Sequence, residues 1–328
     1  MRNLSINLPL SSEVVESKMS DQQSPIPPAS FPPGFAYIDG GYCPIAEAKI
    51  SVLDWGFLRS DATYDVVHVW QGRFFRLDKH LDRFFASANK LRMTLPVDRN
   101  GLSAILAECV RRGGLDDAYV EMIVTRGYSP TFSRDPRDAQ NRLICFAIPF
   151  GWIATAEQRQ RGLNLIVAQA VDRISPRAVD PTVKNYHWLD LVAGMFEAYD
   201  RGGENVLLTD GAGHITEGPG FNLFVAKDGI ITTPASGVLE GITRRTALEL
   251  CAELGIEAKA GPVTSDQLSA ADEVFITSTA GGIMPVTTID GRPVGAEVPG
   301  PLTGQLTDLY WQKHSDPGWT TAVSDLGN

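Results

Sequence analysis

Apolar residues in this 328-residue chain recur with two periods, and the order in which the periods alternate constrains the fold more than any other feature. Tyr64, Val66, His68 and Trp70 alternate with Asp65, Val67 and Val69, which is the period of a strand, and Gln71-Gly72 offers a turn into Arg73-Phe74-Phe75. Leu77, Leu81, Phe84, Phe85, Ala88 and Leu91 then follow helical spacing, as do Leu102, Ile105, Leu106, Cys109 and Val110. Strands are expected near Tyr119 to Thr125 and Leu143 to Ile148. The pattern restarts at Leu163 with a strand at LNLIVAQA, a helix after Lys184 carrying Leu189, Val192, Met195 and Phe196, and a strand at NVLLTD. Asp210-Gly211 and Asp228-Gly229 mark turns around NLFVA. Helical spacing returns at Ala247, Leu250, Cys251 and Leu254 and at Leu302, Leu306, Leu309 and Tyr310, while EVFITS and MPVTTID read as strands. Strands therefore occur both as hairpins and between helices, which predicts an α+β fold.

Length sets the number of lobes. At roughly 150 residues per domain the chain has room for two. The boundaries expected are a small α+β domain at 34–150, an interdomain linker at 151–160 within PFGWIATAEQRQRG, and a large domain at 161–328. Residues 1–33 are polar and proline-rich, ending near PIPPASFPPG, and predict a flexible N-terminal arm.

The formal net charge of −10, with no Lys/Arg run as a local exception, argues against a nucleic-acid partner and for small molecules. The four cysteines, Cys43, Cys109, Cys145 and Cys251, show neither a CxxC spacing nor a cluster with histidine, so reduced thiols and no metal site are expected. No apolar stretch approaches the roughly 18 to 20 residues of a membrane helix, and the N-terminus lacks an apolar core behind a basic segment. A cytoplasmic location is expected.

A few positions carry chemistry beyond packing. Lys184 lies in VDPTVKNYHWLD between a proline-marked loop and a helix, flanked by Val183, Tyr186 and Trp188, surroundings that suit imine chemistry. Taken alone it reads as a surface lysine at a helix start. Glu217 precedes the Gly218-Pro219-Gly220 turn; buried beside a pyridine nitrogen it would hold that nitrogen protonated, and otherwise it is a turn residue. LEGITRRTALEL puts Gly241, Ile242 and Thr243 at a helix start, where free N–H groups receive phosphate, although Thr243 is equally a plain N-cap. Thr279 in TSTAGGIMP offers a hydroxyl beside glycines that let a ligand approach the backbone. Arg76 in FFRLDKHLDRF is a fork donor suited to phosphate or, as a lone arginine, to a surface ion pair.

Taken together, FRLDKHLDRF, VKNYHW, TEGPGFNLF, GITRRT and STAGG occur in an order and spacing that resemble the fold-type-IV pyridoxal-phosphate enzymes, over nearly all of the chain from Phe35 to about Trp311. That group includes branched-chain aminotransferases, D-amino-acid aminotransferases, (R)-selective amine transaminases and aminodeoxychorismate lyases. The resemblance implies a two-domain α+β fold, a homodimer and pyridoxal 5'-phosphate held as a Schiff base on Lys184, which then shuttles the proton. It implies that Glu217 binds the pyridinium nitrogen and that Arg76, Ile242, Thr243 and Thr279 hold the phosphate. Within the class, SVLDWGFLRSDATYDVVHVWQG and TRGYSPTFSRDPRD resemble the (R)-amine transaminases. The implied reaction passes the amino group of an (R)-amine to a 2-oxo acid such as pyruvate; D-amino-acid or branched-chain transamination and aminodeoxychorismate cleavage are the alternatives. Arg134 falls where those enzymes keep a mobile arginine for the acceptor's carboxylate, and it reads otherwise as a solvated loop residue. Tyr64, Val66, Tyr119 and Trp188 are the expected pocket wall, or else simple core. Arg59 departs from the pattern, which has histidine there, and this bears on the shape and polarity of the pocket near Tyr64.

Overall fold

The computed structural model describes residues 31–296 and 299–327, so the arm expected at 1–33 lies almost wholly outside the described residues. The first half of the chain, joined by one strand from near the C-terminus, builds a seven-stranded antiparallel sheet in the order Thr320–Ala322, Arg73–Phe75, Ala62–Trp70, Ala118–Tyr128, Gln140–Pro149, Phe35–Ile38 and Gly41–Pro44. Helices Leu77–Lys90 and Arg99–Gly113 cover one face. The second of these begins where Asp98 accepts a hydrogen bond from the Gly101 N–H (2.8 Å) and stops at Gly114, whose φ of 61° suits glycine. Val67, Val69, Phe74, Val120, Met122 and Val124 from the sheet and Leu81, Phe84, Leu102 and Leu106 from the helices are buried together, each worth about 1.5 to 3 kcal/mol of burial.

Because successive side chains point to opposite faces, Tyr64, Val66 and His68 turn away from those helices. Alternation along a single strand suggests one dry and one wet face, yet residues 62–69 are all buried. The loop that carries Lys184 and the C-terminal segment around His314 cover the second face.

The rest of the chain forms a mixed nine-stranded sheet whose main path runs Ala258–Gly261, Ile230–Pro234, Phe221–Lys227, Glu273–Ser278, Gly282–Ile289, Leu163–Asp172 and Asn205–Thr209. Its centre is antiparallel, and the pairings of Ile230–Pro234 with Ala258–Gly261, and of Leu163–Asp172 with both its neighbours, are parallel. Helices Ile242–Glu253 and Pro301–Gln312 seal Phe224 and Phe275 on one face, and Leu189–Asp200 packs on Ile166, Val206 and Leu208. The segment read as a linker holds a short helix, Ala156–Arg161, started by a capping box between Thr155 and Gln158. Thr320–Ala322 returns to pair with Arg73–Phe75, so the chain's end lies in the first sheet. No helix of the described residues is long and apolar enough to cross a membrane.

Candidate active site

Lys184 sits in the loop between strand Leu163–Asp172 and helix Leu189–Asp200, and the loop is stitched to the first sheet. Its carbonyl accepts from the Tyr64 N–H (3.1 Å) and the Thr63 hydroxyl (2.7 Å), while Asn185 bridges to Thr63. The backbone is thereby held, and the Lys184 Nζ stands 4.4 Å from the centre of the Tyr64 ring. Tyr64 stacks on Tyr186 at 4.3 Å, and the Tyr186 hydroxyl donates to Glu121 Oε1 (2.5 Å). The Tyr119 hydroxyl donates to the other oxygen of the same carboxyl (3.2 Å). Burial pushes the Glu121 carboxyl up, against the opposing pull of Tyr186 and Lys184.

Glu217 lies opposite on a two-residue strand paired with Phe221 and Asn222, and the turn between them needs Gly220 in the left-handed region (φ 79°). Its carboxyl accepts from Arg173 Nε (3.1 Å) and from the Leu239 N–H (2.9 Å). Burial raises its pKa, with Arg173 as the main counterweight. Asp190 holds the other arm of Arg173 at 2.6 Å.

Helix Ile242–Glu253 opens with Gly241 as its N-cap residue and has no side-chain cap, so Thr243 lies inside the first turn rather than capping it. A Cβ on Gly241 would stand 2.1 Å from Asn222 Oδ1, which is why the chain can approach so closely only as glycine. Across from it the strand Glu273–Ser278 carries Thr277 near its end and is followed by Thr279, and the Thr277 hydroxyl is buried without a partner. Lys184, Glu217, Ile242, Thr243, Thr279, Tyr64 and Trp188 all line one cavity.

Arg76 does not line it. Arg76 precedes helix Leu77–Lys90 with a left-handed backbone (φ 57°), its guanidinium pairs with both oxygens of Glu249 (2.6 and 3.2 Å), and it lies 4.5 Å from the centre of the Trp319 ring. Of this motif the arginine on the cavity is Arg83, seven residues on and so on the same helical face, and it lines the cavity together with Arg173. Arg83 Nε and Nη2 bind Asp65 (2.7 and 2.8 Å), and Nη1 donates to the Glu240 carbonyl (3.1 Å). Burial alone would raise the Asp65 pKa, but Arg83 and His80 outweigh it and hold the carboxyl well below the ordinary range. The sequence signal for Arg83 was His80-x-x-Arg83, an i, i+3 pair able to converge on one acid of the neighbouring strand.

Three of the expected substrate residues also lie elsewhere. Val66 is buried in the first sheet and Tyr119 binds Glu121; neither lines the cavity. Arg134 is exposed on the loop between strands Ala118–Tyr128 and Gln140–Pro149, away from the cavity, because that loop turns outward through its own hydroxyl contacts around Ser129. Among the described residues no group of His, Cys, Asp and Glu could hold a metal ion.

One cavity therefore receives an amine, a buried carboxyl braced by arginine, and an uncapped helix start beside an arginine and hydroxyls, which together suit an aromatic nitrogen heterocycle bearing a phosphate. Residues 62–289 match the family Amino-transferase class IV, and the chain belongs to that family. It is 32% identical to the D-alanine aminotransferase of Bacillus licheniformis, over 79% of this chain and 89% of that one. With the branched-chain-amino-acid aminotransferase of Pseudomonas aeruginosa it shares 31% identity over 72% and 77% of the two chains. A T.th. branched-chain amino acid aminotransferase, solved with pyridoxamine 5'-phosphate, superposes with a TM-score of 0.83 at 30% identity, over 90% of this chain and 100% of that one. The fold is that of the fold-type-IV aminotransferases, and pyridoxal 5'-phosphate is the cofactor of the class.

Proposed function

We propose that this chain transfers the amino group of an (R)-amine to a small 2-oxo acid such as pyruvate. When bound, pyridoxal 5'-phosphate supplies an electron sink joined to the reacting carbon of the substrate. Lys184 would hold the cofactor through its ε-amine, and the same ε-amine, when free, would move the proton at the substrate carbon as general base and acid. Glu217 holds a proton on the pyridine nitrogen, and Arg173 behind it favours the ionised carboxylate that the task requires. Arg83, the N–H groups of Ile242 and Thr243, and the Thr279 hydroxyl take the phosphate, with Tyr64 and Trp188 as walls for the substrate.

The observation that carries the amine reading is the state of the arginines on the cavity. Arg83 is neutralised by Asp65, and Arg173 by Asp190 and Glu217, so neither is an unpaired buried cation that would penalise an apolar donor. Glu121, a further acid, stands behind Tyr186 on the Tyr64 side. An apolar amine meets no charge penalty there. The likeness to D-alanine and branched-chain aminotransferases favours a second reading, transamination between amino acids. Steady-state rates of the holoenzyme with paired (R)- and (S)-amines and with D- and L-amino acids, pyruvate as acceptor and Lys184→Ala as blank, test it. Preference for (R)-amines is expected; turnover confined to amino acids moves the assignment to the second reading, and pyruvate formed without an acceptor moves it to a lyase.

The same proposal takes 34–150 and 161–328 as the two domains and the protein as a cytoplasmic homodimer. Exposed Val52, Phe57, Leu189 and Phe196 offer apolar surface to a second copy, and the four cysteines are unpaired.

A further inference from the structure

Strand pairing sets three polar side chains abreast on one face of the second sheet. Glu217 pairs with Asn222 and Asn222 with Thr277, and directly paired residues of neighbouring strands point to the same side. Asn222 shows which side that is, because its amide donates to the Leu239 carbonyl (2.8 Å) and its Oδ1 lies against Gly241 at the start of helix Ile242–Glu253. Thr277 therefore stands two strand spacings from Glu217, about 9 to 10 Å, on the cavity that the helix start also lines. Thr279, two residues on, lines the same cavity.

Thr277 is 2% exposed and its hydroxyl has no protein partner, a condition that costs free energy unless a ligand completes it. His68, Thr246 and Tyr310 also hold buried polar atoms without partners, yet none of them lines the cavity; among the described residues Thr277 alone combines the two conditions. The neighbouring Ser278 is committed elsewhere, since its hydroxyl donates to the Gly220 carbonyl (2.9 Å) and accepts from the Ala280 N–H (3.2 Å). A phosphate dianion offers acceptors only, so a hydroxyl meets it as a donor and adds no charge beside Arg83, which Asp65 already neutralises. We propose that Thr277 is a further binding residue for the phosphate of pyridoxal 5'-phosphate, donating its hydroxyl hydrogen alongside Thr279 and the first turn of helix Ile242–Glu253. The assignment rests on the phosphate lying at that helix start, and it adds a residue just outside the STAGG motif.

Thr277→Val keeps the β-branched shape and removes the hydroxyl, whereas Thr277→Ser keeps the hydroxyl. Absorbance titrations of the apoenzymes with pyridoxal 5'-phosphate and with unphosphorylated pyridoxal test the assignment. Thr277→Val is expected to bind the phosphate ester about ten- to a hundredfold more weakly and pyridoxal as the wild type does, with Thr277→Ser near wild type for both. Inorganic phosphate, as a competitor of the phosphate ester, is expected to lose affinity by the same factor. Thr246→Val, which removes a buried hydroxyl off the cavity, is expected to change neither ligand. If Thr277→Val does not fold, Thr277→Ser and Thr277→Ala, which differ in the hydroxyl alone, carry the comparison. Unchanged affinity for pyridoxal 5'-phosphate without the hydroxyl, an equal loss for both ligands, or the same phosphate-specific loss in Thr246→Val overturns the assignment. Thr279→Ala and Arg83→Met separate that failure from one of the underlying reading. If these variants also weaken the two ligands equally, the phosphate lies elsewhere; if they weaken the phosphate ester alone while Thr277→Val does not, only the role of Thr277 falls.

Discussion

Two arginines seven residues apart in one helical motif have opposite duties, and their partners decide which. Arg76 is committed to Glu249 and Trp319, so Arg76→Met is expected to lower stability by about 1 to 3 kcal/mol while leaving the affinity for pyridoxal 5'-phosphate near wild type. Arg83→Met should do the reverse in emphasis, weakening cofactor binding about ten- to a hundredfold. Absorbance titration of the apoenzymes together with thermal melts separates the two, and equal cofactor affinity in wild type and Arg83→Met would return the phosphate to Arg76. Glu217→Gln is expected to retain the cofactor and to slow single turnover with an amine donor by about a hundredfold or more, since an amide cannot hold the pyridine proton as a carboxylate does. A wild-type rate would remove Glu217 from that role.

At the scale of elements, helix Ile242–Glu253 acts through its uncapped start. Gly241 lets the helix seat against Asn222, whose amide donates to the Leu239 carbonyl (2.8 Å), while the Leu239 N–H holds Glu217. Gly241→Ala would push the helix start away from Asn222 and disturb the donors and the carboxyl together. Its expected signature is about a tenfold loss of cofactor affinity; an unchanged dissociation constant, read by the same titration, would show that the turn absorbs the methyl group. The position of Thr243 was ambiguous in the sequence because a threonine near a helix start serves as cap or first-turn residue with equal local logic. The extended backbone of Gly241 resolves it.

At the scale of the molecule, the C-terminal segment is tied to the first sheet by two buried histidines. His314 Nδ1 donates to the Tyr310 carbonyl (3.0 Å), which leaves its Nε2 to accept from His68 Nε2 at 2.7 Å, and His68 Nδ1 is buried without a partner. Burial pushes His314 down to about 4 and His68 well below its usual value. A histidine with a depressed pKa in the folded state takes up protons preferentially when unfolded, so stability is full above about 6.5 and falls as pH drops toward about 4. The shift at His314 alone corresponds to on the order of 3 kcal/mol. Tm is therefore expected to fall between pH 6.5 and 4, with a shallower slope in His314→Gln; parallel slopes would show that His314 takes up protons as readily in the folded protein as in the unfolded chain.

How much of this was legible in the sequence follows from the range of the interactions involved. The kinds of element and their order, including the strand at Ala62–Trp70, the Gln71-Gly72 turn and the helices at Leu77–Lys90 and Ile242–Glu253, come from periodicity and turn chemistry, which act over a few residues. The motifs around Lys184, Glu217 and Gly241 were visible for the same reason, as each is a short run. Packing alone decided the rest. Which arginine of FRLDKHLDRF meets the cavity depends on Glu249 and Trp319 for one and on Asp65 for the other, partners up to 243 residues away in the case of Trp319 (319 − 76). The burial of both faces of Ala62–Trp70, the outward turn of the Arg134 loop and the place of Arg59 off the cavity of Lys184 likewise arise from segments distant in sequence, whose meeting no local pattern encodes.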